Sequence, residues 1–399
     1  MKISERGTKI QASPIRKLKP FADDAVARGI KIYHLNIGQP DIATPPEMIN
    51  VYRGFHKKVL AYGPAQGLDD YRTNLVNYYR RQKIEISADD IIVTTAGSEG
   101  IIFAMLVCCN PGDEIIIPEP FYTNYNGFAT ISGVRIVPLT THAENGFQLP
   151  PDSDIIARIS ARTRAILLCN PGNPTGAVYS CTDLERVAEI ARKNDLFLIT
   201  DEVYREFIYD GLTHTSVMHL AHMEERAVLV DSISKRYSAC GARIGCLISR
   251  NRELMAAALK FAQARLCPPT IDQMAANAAI DIGQEYFDKI IKEYDKRRNV
   301  IYQELQKIPG IICVKPQGAF YIIAKLPIRD SDHFARWMLS EFHVHNETVM
   351  FAPAAGFYAT PGMGSDEIRL AYVLKEESLL KAMSIFRKGL AAYIQSGQI

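Results

Sequence analysis

Between Ile91 and Ile248 the chain alternates short, continuously apolar runs with stretches of helical periodicity. The runs are Ile91–Thr95, Glu114–Ile117, Arg135–Leu139, Ala165–Cys169, Phe197–Thr200, Val228–Val230 and Ile244–Ile248. A strand that is apolar on both faces must be covered on both, as in a sheet flanked by helices. Between Cys169 and Phe197 the sequence TDLE (Thr182–Glu185) reads as a capping box that opens a helix. Strand, helix, strand over about 200 residues predicts an α/β fold with a mainly parallel sheet and helices on either side.

After about Ala275 the pattern changes. A long charged helical stretch to about Lys307 reads as a connector. Strands are then expected at Gly318–Ala324, Thr348–Phe351 and Ile368–Val373, with a helix between the first two and a last helix from Glu376. This predicts a smaller α+β domain. The first 45 residues hold too few apolar side chains to fold alone. The expected division is therefore 1–45 packed on the small domain, 46–285 as the large domain and 286–399 as the small one.

Composition removes several classes of function. A net charge of +2 offers no field for nucleic acid or an anionic membrane. The longest apolar run, Ile101–Cys109, is nine residues and cannot span a bilayer. The N-terminal residues scatter charge where a secretion signal needs an apolar stretch, so a cytoplasmic protein is expected. Eight cysteines without a CxxC pair read as reduced thiols, and nine histidines without ligand spacing give no support for a metal.

Four motifs in the middle of the chain carry chemistry. Asn170–Gly176 (NPGNPTG) follows an apolar run and forms a stiff loop where α/β sheets place ligands. Asp201–Tyr204 (DEVY) puts a carboxylate at the end of the next run. Ser232–Lys235 (SISK) follows another, and Gly241–Gly245 (GARIG) flanks an arginine with glycines. Taken singly, each has an ordinary reading: a tight turn, a solvated acid, a lysine reaching for water, a flexible loop.

In this order and spacing they resemble the class I/II aminotransferases, the pyridoxal-phosphate enzymes of the aspartate aminotransferase fold. The resemblance runs from about Lys31 to the C-terminus, and the late segment IRLAY (Ile368–Tyr372) belongs to it. It implies a fold-type I transferase: a large domain with a mainly parallel seven-stranded sheet, and a small α+β domain. It implies pyridoxal 5′-phosphate as cofactor, with a small-molecule amino acid and a 2-oxo acid as partners. By the same resemblance Lys235 bonds the cofactor's aldehyde and then moves the proton at the substrate's Cα. Asp201 faces the ring nitrogen and keeps it protonated through opposite charge. Asn173 and Tyr204 lie at the cofactor's phenolic oxygen. Gly97, Ser98 and Glu99, at a helix start, form the phosphate cup with Ser232 and Arg243. Tyr62 reaches the phosphate of a neighbouring subunit, which implies a homodimer with shared active sites. Tyr122 stacks on the ring, although Phe121, Tyr122 and Tyr125, in one aromatic-rich loop, are each also readable as core. Arg369 clamps the substrate's α-carboxylate beside Asn173, and Gly38 is small so that the substrate can enter.

The side chain of the amino donor is less constrained. Some bacterial relatives carry a lysine directly after the phosphate-loop glycine to hold a distal carboxylate; here that position is Ser98. Arg16 and Arg265 are the alternatives, and for each the ordinary reading is a surface residue. The expected reaction is L-aspartate with 2-oxoglutarate. The rivals are an aromatic, alanine or kynurenine-type aminotransferase, a lyase of the same fold, and a non-catalytic regulator.

Overall fold

The computed structural model describes residues 1–11 and 13–397. Its strands are β1 (Lys31–His34), β2 (Ile91–Thr95), β3 (Glu114–Glu119), β4 (Arg135–Thr140), β5 (Thr163–Cys169) and β6 (Phe197–Asp201). They continue as β7 (Ala227–Ser232), β8 (Ile244–Ile248), β9 (Tyr321–Lys325), β10 (Glu347–Met350), β11 (Ala352–Pro353) and β12 (Glu367–Ala371). Every apolar run of the middle region enters one seven-stranded sheet, ordered β2-β8-β7-β6-β5-β3-β4.

Side chains alternate across this sheet with the period of two that a pleated strand imposes. Ile91, Val93, Ile116 and Leu198 enter one core, while Ile92, Ile115, Ile117 and Ile199 enter the other. Only β8 departs from parallel pairing, running against both β2 and β7. The link from β7 to β8, residues 233–243, is short for the crossover that a parallel neighbour requires. Because β8 opposes both neighbours, β2 runs the same way as β5, β6 and β7. Their carboxyl ends and the amino end of β8 therefore share one edge of the sheet.

The helix Ala96–Cys108 starts directly at that edge and packs against β7 and β8. The approach is close at Gly245, where a Cβ would stand 2.5 Å from the backbone carbon of Ala96 and 2.7 Å from the nitrogen of Gly97. No side chain fits there.

Two sequence expectations are corrected locally. The helix Cys181–Lys193 is capped by Ser180, whose Oγ accepts the Asp183 N–H at 3.1 Å, rather than by Thr182. Ser180 is the residue with extended backbone, as a cap requires, and Thr182 already lies inside the helix. The charged connector is also broken, into Thr270–Ala278 and Gln284–Gln306. The second helix takes extended Gly283 as its cap, a residue that costs stability in a helix interior and is accepted at its start.

The remaining strands form two small sheets. β1 pairs in parallel with β10, which ties the N-terminal segment to residues 347–350. β12 lies between β11 and β9, antiparallel to each, and so carries Arg369 at the centre of a three-stranded sheet. Among the described residues, no helix is long and apolar enough to cross a membrane.

Candidate active site

The shared edge of the large sheet opens into a cavity of about 310 Å³. The loop after β5 enters it first. Gly172 and Ala177 close that loop by a backbone bond of 2.8 Å, and Asn170 Oδ1 accepts the Tyr179 N–H at 3.0 Å. The closed loop projects the buried Asn173 side chain between two partners. Its Oδ1 accepts from Arg369 Nη1 at 3.1 Å, and its Nδ2 donates to the Tyr204 hydroxyl at 3.3 Å. Arginine can only donate, so the orientation of this amide follows from its neighbours.

One strand over, β6 ends in Asp201 and continues into Glu202, and the two carboxyls meet opposite environments. Asp201 lines the cavity, accepting the Tyr125 hydroxyl at 2.7 Å and the Val203 N–H at 3.4 Å. Burial pushes its pKa up to about 6, with the Tyr125 bond opposing the rise. Burial would also raise Glu202, but His214 at 2.8 Å, together with Arg205 and the Val217 N–H, outweighs it and holds that carboxyl at about 2. Glu202 is thus satisfied inside the protein. Asp201 has no cationic partner among the described residues.

β7 ends in Ser232, whose Oγ accepts the Ser234 N–H and starts the short helix Ile233–Arg236. This helix aims Lys235 into the cavity, where Nζ donates to Gly38 O at 2.8 Å and approaches Cys240 Sγ at 3.6 Å. The next residue, Arg236, is buried and anchors the turn on Asp231 and Glu206, and Tyr79 bonds Asp231 at 2.8 Å. Lys235 therefore stands on a stiff base while its amine contacts no carboxylate among the described residues.

At the helix start, Gly97 and Ser98 face the cavity beside Ser232 and Arg243. Ala96 and Arg243 both adopt left-handed backbone, φ +62° and +57°. Donors thus gather at one end of the cavity, as an anionic group needs. Glu99 differs: its carboxylate turns back to accept the Thr95 N–H at 2.7 Å and to pair with Arg265 at 3.3 Å. Arg265 is committed there and to the carbonyls of Ala65 and Val93, away from the cavity. Arg16 lines the cavity and has no side-chain partner among the described residues.

Arg369 is buried at 2% exposure, and among the described residues no carboxylate pairs with it. Its Nη2 donates to Asn36 O at 2.5 Å, its Nε has no partner among the described residues, and the guanidinium lies 4.5 Å from the Tyr321 ring centre and 4.9 Å from that of Phe357. Burial pushes its pKa down, the sign of a desolvated cation. A buried charge without a counter-charge is costly, so this one is suited to an anion that arrives from solution.

Of the aromatic loop, Tyr122 lines the cavity, whereas Phe121 and Tyr125 are buried in the core. Tyr62 is 81% exposed and lies outside the cavity. Gly38 lines it, but what its missing side chain makes room for is Tyr321: a Cβ would fall 1.8 Å from that hydroxyl. Sequence reasoning missed Tyr321, Cys240 and the bond from Tyr125 to Asp201. Tyr321 falls inside Gly318–Ala324, expected as one strand, whereas the strand starts only at Tyr321; for the Tyr125 bond the sequence offers the three-residue spacing from Tyr122.

Pyridoxal phosphate fits these residues. The cavity offers an amine free of acids, a buried carboxyl lacking a cation, donors gathered at a helix start, and a buried guanidinium with an orphaned Nε–H.

Comparison with known proteins agrees. Residues 30–384 match the family model for aminotransferase class I and II. The chain is 28% identical to aspartate aminotransferase of Bacillus subtilis strain 168, covering 97% of this chain and 98% of that protein. It is 30% identical to aromatic-amino-acid aminotransferase 2 of Thermococcus litoralis, covering 97% and 98%. The structure of an alanine aminotransferase from Pyrococcus furiosus superposes with a TM-score of 0.89 at 31% identity, covering 98% of this chain and 100% of that one. With this architecture and these matches, the chain belongs to the class I and II aminotransferases, which are pyridoxal-phosphate-dependent.

Proposed function

We propose that the chain transfers the amino group between L-aspartate and 2-oxoglutarate, giving oxaloacetate and L-glutamate. The observation that carries this choice of donor is Arg16, a guanidinium without a protein partner among the described residues in the cavity that also holds Arg369. Lys235 and Arg243 are given to the cofactor in this reading, which leaves Arg16 and Arg369 as two further cations lining the cavity, suited to a substrate with two carboxylates. Relatives named aspartate aminotransferase, including that of Bacillus subtilis, support the same reading.

In this proposal the groups lining the cavity divide the work. The cofactor, when bound, supplies an electron sink for the pair left at Cα when its proton departs. Asp201 holds the proton of the ring nitrogen, and bringing that cation beside it supplies the partner its burial lacks. Lys235 carries the cofactor and, displaced by substrate, acts as base at Cα. Arg369 orients the α-carboxylate with Asn173, and Tyr204 donates to the phenolic oxygen. Gly97, Ser98, Ser232 and Arg243 receive the phosphate, Glu99 supporting them through its contact with Thr95. Tyr122 covers the ring. Tyr62 stands exposed beside Val59 and Leu60, which supports a homodimer in which it serves the neighbouring site.

An aromatic or alanine donor is the second reading, favoured by the names of the Thermococcus and Pyrococcus relatives and by Tyr122, Phe128 and Tyr321 around the cavity. A donor panel with 2-oxoglutarate separates the two. Oxaloacetate production should dominate, and Arg16→Ala should lower kcat/KM for aspartate about 10- to 100-fold while changing that for alanine less than about threefold. Negligible turnover of aspartate beside rapid turnover of an aromatic donor or alanine would overturn the aspartate reading.

A further inference from the structure

Tyr321 stands between two functions of the cavity. Its ring lies against the guanidinium of Arg369, 4.5 Å from centre to cation, and its hydroxyl is 2.9 Å from that of Tyr204. Asn173 joins the same two residues from the other side, so Arg369, Asn173, Tyr204 and Tyr321 close a ring of contacts. All four are buried. Gly38 leaves the space that the Tyr321 hydroxyl fills.

We propose that Tyr321 is a positioning residue that donates its proton to the Tyr204 oxygen and so commits the proton of Tyr204 to the cofactor's phenolic oxygen. The argument is one of counting. The Tyr204 hydroxyl has one proton and two lone pairs. Asn173 Nδ2 already donates to one lone pair, because its oxygen is taken by Arg369. If Tyr204 spent its proton on Tyr321, it would present none to the cofactor. With Tyr321 as donor, both lone pairs are filled and the proton is free to point into the cavity. A hydroxyl that accepts such bonds is also a stronger donor in its own right. Burial, with Tyr321 beside it, keeps the Tyr204 phenol protonated far above neutral pH.

This inference rests on the pyridoxal-phosphate reading and not on the choice of amino donor, so it is tested without substrate. The readout is the pH at which the visible absorbance of the bound cofactor changes in the loaded protein. A donor at the phenolic oxygen favours the high-pH form, in which that oxygen's negative charge is least compensated. Tyr321→Phe keeps the ring against Arg369 and removes only the donor. It should move the transition upward by about 0.3–0.7 pH units. Tyr204→Phe should move it further, and Tyr204→Phe with Tyr321→Phe should match Tyr204→Phe alone. An unmoved transition in Tyr321→Phe, or a double variant whose shift is the sum of the two, would overturn the proposal. Loss of the cofactor band from the unsubstituted protein would remove the cofactor placement as well, a result distinct from a band whose transition fails to move.

Discussion

Asp201→Asn separates what the buried carboxyl costs the protein from what it does for the cofactor. Burial moves this group from an ordinary 3.8 to about 6. At about 1.4 kcal/mol per pH unit, that is about 3 kcal/mol of preference for the protonated form in the folded protein. Between pH 3.8 and 6 the native state therefore binds more protons at this site than the unfolded chain does. Stability contributed here falls as pH rises through that window, and the full penalty stands above it. Asparagine keeps the shape, can still accept from Tyr125, and never ionises. In the cofactor-free protein the variant should match the wild type near pH 4 and gain up to about 3 kcal/mol by pH 8. With about 2.1 cal/mol/K of unfolding entropy per residue over 399 residues, this corresponds to about 3–4 °C in Tm. Scanning calorimetry of both cofactor-free proteins from pH 4.5 to 8 measures the difference. A difference that does not change with pH, or a wild type that melts above the variant at pH 8, would refute the reasoning. Loaded with cofactor the order should reverse, since the wild-type carboxylate then faces a cation and the asparagine does not.

Lys235→Ala should abolish the visible absorbance that marks covalently held cofactor, together with nearly all turnover; retained turnover would remove the role assigned to this amine. Arg369→Ala should cost about 2–5 kcal/mol in binding the α-carboxylate, read as a fall of at least about 30-fold in kcat/KM, and an unchanged value would place the clamp elsewhere. Sedimentation of the loaded protein should give a homodimer, and Tyr62→Phe should weaken cofactor retention although Tyr62 lies outside its own chain's cavity. A fully active monomer would contradict the shared site.

Several features are legible in the amino-acid sequence alone. Runs such as Ile91–Thr95 and Phe197–Asp201 are buried along nearly their whole length, which a sheet covered on both faces demands and which residue order alone reveals. Asp201, Ser232 and Lys235 were readable because each sits within a few residues of the end of such a run. Position along the chain there implies position at the sheet edge. The sequence alone does not single out the start of this helix, because Ser180–Asp183 and Thr182–Glu185 both carry a hydroxyl followed three residues later by an acid. Backbone conformation chose between them.

What the amino-acid order determined is therefore local: which segments must be covered on both faces, and which reactive groups follow them. The tertiary structure decided which distant residues meet. Arg369 reaches Asn173 across 196 positions, Tyr204 meets Tyr321 across 117, and Lys235 finds the carbonyl of Gly38 across 197. It sent Arg265 to Glu99 and left Arg16 at the cavity, a difference that residue type does not carry. It turned Tyr122 toward the cavity and Tyr125, three residues on in the first turn of the helix Asn124–Ser132, toward Asp201. The reason is that hydrogen bonds and ion pairs are decided over a few tenths of an ångström, a scale set by the packing of whole elements against one another.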